Sequence, residues 1–392
     1  MRKIFTLLLS FVALSTYAQR NPSDKGWVTT WATATQFTTK DNRPKTELNK
    51  VSVRQIVHVS LGGNVLNLRL SNGYGDGPLK ISSVYIADVT EGRNINPKTA
   101  KFLTFGGISR VTIEAGATAT SDPVKYKLKP QQRLAITINY ISSPNEITSH
   151  PGSRTTSYII DGEAGKNTSF DNAKEEVDHW YNIDAIHVFD KKAHTIAVLG
   201  NSITDGRGST TNMQNRWTDI FAENIAQTRN DVGVINLGIG GNCVLRGGLG
   251  DPAVKRFDRD IMQQAGVKEV IIFEGVNDIG NDKGTGDEVA KALIAQYEKF
   301  IAQVKAADMR VYGATITPFN GHYYYTPEHE HARQLVNEWI RNCGKFDAII
   351  DFDLIMCDPE RPDYLRKDYQ EDWLHPNAEG YKRMGEYAAK VI

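Results

Sequence analysis

The sequence predicts an α/β half built on a parallel sheet, preceded by an antiparallel β-sandwich of jelly-roll type. Three observations carry that prediction. From residue 27 to about 190, apolar and polar residues alternate at a period of two. From residue 194 onward, short apolar runs of strand length alternate with amphipathic helical stretches. At 392 residues the chain is long enough to bury two cores. The expected divisions are 1–18, 19–190 and 191–392.

The first of these reads as a secretory signal. Arg2 and Lys3 precede an apolar run over 4–14, and Thr16-Tyr17-Ala18 supplies a small-residue cleavage site, so the mature chain is expected to begin at Gln19. That places the protein outside the cytoplasm, secreted or periplasmic. The run is shorter than the roughly 18 residues that a membrane span requires, and no other stretch is long and apolar enough to be one. The formal net charge is +0, and loss of Arg2 and Lys3 leaves a mature chain near −2. Neither nucleic acid nor an anionic membrane is an expected partner.

Within 27–190, Leu66, Leu68 and Leu70 alternate with Val65, Asn67 and Arg69. Val124, Tyr126 and Leu128 alternate with Lys125 and Lys127, and Leu134, Ile136, Ile138 and Tyr140 repeat the pattern. Such alternation predicts antiparallel strands buried on one face. Gly62-Gly63-Asn64, Gly75-Asp76-Gly77-Pro78, Gly106-Gly107 and Ser121-Asp122-Pro123 mark turns between them.

In the second half, strands are expected at 195–199, 233–237, 270–273, 310–316 and 348–352. Trp217, Ile220, Phe221 and Ile225 fall on one helical face. Further helices are expected at 287–306, after Thr326-Pro327 (a cap followed by a first-turn proline) and over 377–391. In an open parallel sheet, ligands bind beyond the carboxyl ends of the strands.

Three short motifs follow such strand ends directly: Gly200-Asn201-Ser202-Ile203-Thr204-Asp205-Gly206, Gly238-Ile239-Gly240-Gly241-Asn242 and Gly275-Val276-Asn277-Asp278. A fourth, Asp372-Trp373-Leu374-His375-Pro376, precedes the last helix. Together they hold the parts for acyl transfer: Ser202 as nucleophile, His375 as base, Asp372 to orient it, and oxyanion donors from the N–H groups of Ser202 and Gly241 and the carboxamide of Asn277. Spaced three apart, Asp372 and His375 would be neighbours on a helical turn. Asp184 and His187 share that spacing but fall in the expected strand 183–189, where residues three apart face opposite ways.

His322, His329, Glu330 and His331 are rich in metal-binding groups, but they lack a His-Glu-x-x-His spacing, and His329 and His331 diverge on a helix. Neither a metal nor an organic cofactor is expected. The stretch 318–325, with Phe319, Asn320, Gly321 and Tyr323, Tyr324 and Tyr325, reads instead as a wall of the substrate cleft. The three cysteines, Cys243, Cys343 and Cys357, do not form a disulfide framework; a Cys343–Cys357 bridge and three reduced thiols are both open.

At the four motifs the chain resembles the SGNH, or GDSL-type, serine hydrolases over about residues 194–392. The resemblance implies a flavodoxin-like three-layer fold and the same roles for Ser202, Gly241, Asn277, Asp372 and His375. Two positions depart from the family's pattern: Asn201 stands where Asp is usual and Gly240 where Ser is common. The layout as a whole resembles secreted carbohydrate and aryl esterases. The expected activity is hydrolysis of short acyl esters, acetyl groups on polysaccharide foremost. The alternatives are a lipase or lysophospholipase of the same family, and a noncatalytic carbohydrate-binding protein. The sequence leaves the oligomeric state open.

Overall fold

The computed structural model describes residues 25–392. The expected signal peptide, 1–18, and the new terminus at Gln19 lie outside the described residues. Every pairing among the strands between Trp27 and Phe189 is antiparallel. One sheet runs in the order Trp27–Ala32, Ile183–Phe189, Gly63–Ser71, Val124–Leu128. A larger one has Val51–His58, Arg133–Ser142 and Leu79–Glu91 side by side at its centre. A small third sheet sets Thr148–His150 between Trp180–Tyr181 and Gln36–Phe37. Leu66, Leu68 and Leu70 of the first sheet share one buried cluster with Val53, Val57, Leu134, Ile136 and Ile138 of the second. The alternating leucines are therefore the inner face of their strand, as the period of two predicts.

The strand Arg133–Ser142 departs from expectation. Its alternate residues Ala135, Thr137 and Asn139 are buried too. It lies between two long neighbours, and its second face is covered from the chain beyond Asp161, where Asn139 Nδ2 donates to Ala164 O at 3.0 Å and Ala135 packs with Ala164 and Phe170. Asn139 is tolerated there because its amide is hydrogen-bonded.

The second half holds five parallel strands: His194–Gly200, Val232–Gly238, Val267–Phe273, Arg310–Ala314 and Ala348–Ile350. In space the second lies outside the first, followed by the third, fourth and fifth. Alternate residues of His194–Gly200 enter opposite cores: Ala197 and Leu199 join one with helices Asp287–Ala306 and Pro327–Asn342, and Ile196 and Val198 join another with helices Trp217–Ile225 and Ala378–Val391. Burial on both faces explains why these strands read as unbroken apolar runs. The last strand stops at Ile350, short of the expected 352, because the Asp351 side chain accepts from Leu354 N–H at 3.2 Å and caps a helix over Phe352–Met356.

The halves are joined by more than the chain between them. Thr29 N–H donates to Ala265 O at 2.9 Å, Thr195 Oγ1 donates to Thr29 O at 2.8 Å, and Val234 N–H donates to Ser60 Oγ at 2.9 Å. Ala32, Ala34 and Ala185 belong to the core beneath the parallel sheet. Among the described residues, no helix is long and apolar enough to cross a membrane.

Candidate active site

The site begins where His194–Gly200 turns into a short helix, Ser202–Asp205. A Cβ at Gly200 would lie 2.1 Å from Thr204 Oγ1, so only glycine permits a turn this tight. Asn201 caps the helix, its Oδ1 accepting from Ile203 N–H at 3.0 Å. Ser202 therefore takes the first helical position, where a backbone N–H has no intrahelical acceptor. Its Oγ lies 2.9 Å from His375 Nε2, and His375 Nδ1 lies 2.8 Å from Asp372 Oδ2. Ser202 and His375 are both buried.

Asp372 and His375 meet, but not on a helical turn. The segment is a loop with Trp373 at φ 66°, and Asp372 Oδ1 accepts the backbone N–H groups of Leu374 at 3.2 Å and His375 at 2.9 Å. An aspartate bonding the backbone just ahead of it forms such a turn without a helix. Partial burial works to raise the Asp372 carboxyl, but hydrogen bonds from the ring and backbone of His375 outweigh it and hold the group well below the usual carboxylate range. Asp372 thus stays ionised, with Nδ1–H of His375 directed at it and Nε2 free to accept the Ser202 proton.

Gly241, Asn277, Ser202 and His375 line one cavity of about 1040 Å³. Gly241 has φ +67°, and a Cβ there would meet Leu249 Cδ1 at 3.0 Å. Backbone conformation and Leu249 together require glycine, in addition to the clear approach a ligand needs. Asn277 Nδ2 donates to Asn242 O at 2.7 Å, and its Oδ1 accepts from Tyr324 Oη at 3.1 Å. This orients the carboxamide and leaves one of its two N–H groups for a ligand. Asp278 ties the loop after Gly241 to this strand end, accepting Val244 N–H at 2.7 Å and Leu245 N–H at 2.9 Å, while burial pushes its carboxyl up to about 6.

Beneath the cavity lies a polar network that motif reading alone did not reveal. Asn201 Nδ2 donates to Glu274 Oε2 at 3.2 Å, and burial pushes Glu274 up to about 8 although Arg256 stands 3.5 Å away. The fully buried Arg256 donates to Leu237 O at 2.8 Å, Gly200 O at 3.1 Å and Asn242 Oδ1 at 3.0 Å. One guanidinium thus pins two strand ends and the Gly241-Asn242 turn. Asn201 keeps one acceptor where Asp is usual, which implies a local hydrogen bond such as the one to Ile203 N–H, and Asp278 lies within the Gly275-Val276-Asn277-Asp278 motif. Arg256 and Glu274 carried no local signal.

The remaining candidates go elsewhere. The strand Ile183–Phe189 has a bulge between Ile183 and Ala185, so strict alternation fails. Asp184 pairs with Arg69, and His187 Nδ1 bonds Asn67 Oδ1 at 2.7 Å. Arg69 and Asn67 are two apart on one strand and share a face. Asp184 and His187 therefore do not point to opposite faces as expected; each is held by its own partner. His329 bonds the carbonyls of Tyr324 and Asp282, His331 Nε2 lies 3.1 Å from Asp287 Oδ1, and Glu330 pairs with Arg333. His322 lies apart from these, on the cavity wall with Tyr323 and Tyr324. All three cysteines are free: Cys343 and Cys357 each lie against the carbonyl three residues back, Ile340 O and Leu354 O, so the bridge left open by the sequence is not formed.

Residues 198–383 match the GDSL-like Lipase/Acylhydrolase family. Among solved structures, a lipase/acylhydrolase from Enterococcus faecalis is similar at 20% identity, over 50% of this chain and 94% of that one, with a TM-score of 0.39. A GDSL-like lipase from Bacteroides thetaiotaomicron is similar at 20% identity, over 51% of this chain and 88% of that one, with a TM-score of 0.38. A carbohydrate acetylesterase from Sinorhizobium meliloti is similar at 18% identity, over 50% of this chain and 97% of that one, with a TM-score of 0.38. No curated protein matches.

Proposed function

We propose that this chain, whose residues 198–383 match the GDSL-like Lipase/Acylhydrolase family, is a serine esterase for short acyl groups, acetyl foremost, carried on polysaccharide. One observation carries the reading: the hydrogen-bonded series Ser202 Oγ, His375, Asp372, at 2.9 Å and 2.8 Å, opening into the cavity that Gly241 and Asn277 line.

In this reading His375 Nε2 takes the Ser202 proton as Oγ attacks the ester carbonyl. The tetrahedral oxyanion is held by the N–H groups of Ser202 and Gly241 and by Asn277 Nδ2. His375 then protonates the leaving alcohol, and the acyl group stays on Ser202. Water attacks the acyl-enzyme with His375 again as base, releasing the acid and restoring Ser202. The scheme draws on side chains and backbone N–H groups alone.

The sugar preference is supported by the cavity wall, where Tyr323 (84% exposed) stands beside Tyr324 and His322. Aromatic faces of this kind suit sugar rings. Export to the periplasm or beyond is part of the proposal and rests on residues 1–18. The lipase reading keeps one observation in its favour: Leu249, 61% exposed, lies on the same cavity beside Gly241 and offers a surface for a longer chain. A noncatalytic binding role would leave the Ser202–His375–Asp372 series without purpose. Hydrolysis rates on p-nitrophenyl esters from acetate to palmitate separate the three. The expected result is turnover falling steeply beyond the shortest chains and abolished in Ser202→Ala. A maximum at long chains would favour the lipase, and absence of turnover the binding protein. Acetate release from several acetylated polysaccharides then identifies the glycan.

A further inference from the structure

We propose that Arg154 and Arg207 form an anion subsite beside Ser202, selecting esters carried on a sugar that bears a carboxylate. The proposal rests on the esterase reading and adds the charge of the substrate to it.

Both arginines line the cavity that holds Ser202 and His375, and they reach it from different halves of the molecule. Arg207 follows the nucleophile turn, its N–H donating to Ser202 O at 2.9 Å. It is exposed and takes part in no ion pair among the described residues. Arg154 comes from the antiparallel half, just past the strand Thr148–His150. The turn that presents it is closely determined. A Cβ at Gly152 would lie 1.9 Å from Asp205 Oδ2, and Arg154 itself has φ 49°, a left-handed conformation unusual for a residue other than glycine. Asn212 N–H donates to Arg154 O at 2.9 Å, and Ser153 Oγ donates to Thr155 O at 2.7 Å.

The guanidinium so placed is under-used. Its Nε is buried without a hydrogen-bond partner. Its one ion pair among the described residues is with Asp205, at 3.5 Å, and Asp205 is also bonded to His150 Nε2 at 2.9 Å. The acids nearest the reacting atoms are likewise engaged: Asp372 by His375, and Asp278 by two backbone N–H groups. The other acids on the cavity, Asp282 and Glu288, lie near the start of the helix Asp287–Ala306. Two guanidinium groups therefore flank the Ser202 turn, Arg154 paired with Asp205 and Arg207 without an acidic partner among the described residues. A guanidinium fork binds a carboxylate through two parallel hydrogen bonds, which a uronate ring next to the scissile ester can accept. Such a bond orients the sugar as well as holding it.

The test compares acetylated polygalacturonate oligomers, the same oligomers with their carboxyls methyl-esterified, and p-nitrophenyl acetate. The enzymes are the wild-type full chain, Arg154→Met and Arg207→Met. For each variant the loss in kcat/KM on the charged oligomers should exceed its loss on the other two substrates by about tenfold or more, the worth of a charge-assisted hydrogen bond. Most of that loss should lie in KM. Equal losses on all three substrates would assign Arg154 a structural role through Asp205 and overturn the proposal, as would no loss on the oligomers. Arg207→Met lacks any bond to Asp205 and keeps the test open should Arg154→Met fold poorly. Arginine dependence on lysophosphatidylglycerol, without dependence on the oligomers, would assign the subsite to a lipid phosphate and also overturn it. If the wild type hydrolyses none of the acetyl esters, the esterase reading itself fails, which is a distinct result.

Discussion

At the scale of single residues, Asn201 shows how one side chain serves two neighbours. Its Oδ1 caps the helix Ser202–Asp205, and its Nδ2 donates to the buried Glu274. An aspartate would keep the first bond and lose the N–H donor of the second, so that once Glu274 ionises above about 8 two carboxylates face each other. Asn201→Asp should lower stability by about 1–3 kcal/mol, read by urea unfolding at pH 9. Adding Glu274→Gln should recover most of the loss. Glu274 also sets a pH dependence. Its folded value of about 8 lies above the ordinary 4.5, so the stability linked to its proton is complete below 4.5 and lost as pH rises through about 8. The melting temperature of wild type relative to Glu274→Gln should therefore fall across that window, and a flat difference would exclude the linkage. At the proposed oxyanion position, Asn277→Ala should lower kcat by roughly 10²–10³ with a smaller change in KM. A change in KM alone would make Asn277 a ground-state contact. His375→Ala should lose nearly all activity, whereas His187→Ala, altering a buried ring bonded to Asn67, should retain the site. An inactive, folded His187→Ala beside an active His375→Ala would refute the triad.

At the scale of elements, the turn after Thr148–His150 packs against the helix Ser202–Asp205. His150 bonds Asp205, and Gly152 leaves no room for a side chain against the same carboxylate. Gly152→Ala should push Asp205 aside, lower the melting temperature and reduce kcat/KM, although the residue is far from Ser202 in sequence. Unchanged kinetics would show that the Ser202 turn keeps its geometry without this support. The elements themselves were legible to different degrees. The parallel strands announced themselves as apolar runs because both their faces are buried. The Arg133–Ser142 strand kept its apolar alternation yet is covered on its other face too, since Asn139 and Thr137 are hydrogen-bonded. The bulge in Ile183–Phe189 was hidden, because one unpaired residue leaves no mark on a period of two.

At the scale of the molecule, the two halves share hydrogen bonds and a core across the expected boundary near residue 190. Thr29 bonds to both Ala265 and Thr195, and Ala32 and Ala185 pack beneath the parallel sheet. Burial shared in this way couples unfolding. The full chain should melt in one transition followed alike by near-ultraviolet and far-ultraviolet circular dichroism. Residues 191–392 expressed alone should be much less stable and less active, lacking both these contacts and the His150–Asp205 pair. Two separated transitions, or a fully active excised half, would make the antiparallel half a detachable module.

The sequence by itself determined the change from period-two strands to alternating strands and helices, and it named Ser202, Asp372, His375, Gly241 and Asn277. Those signals are local: a strand end, a glycine turn and an Asp-x-x-His spacing each lie within a few residues. Only the tertiary structure decided that His375 reaches Ser202 across 173 positions, that the Asp372–His375 turn is a loop, and that Asn201 is matched to Glu274. It alone brought Arg154 into the cavity from the other half. Partnerships of this kind depend on the packing of distant elements, and a charged or amide side chain in sequence looks the same whether solvent or a buried partner receives it.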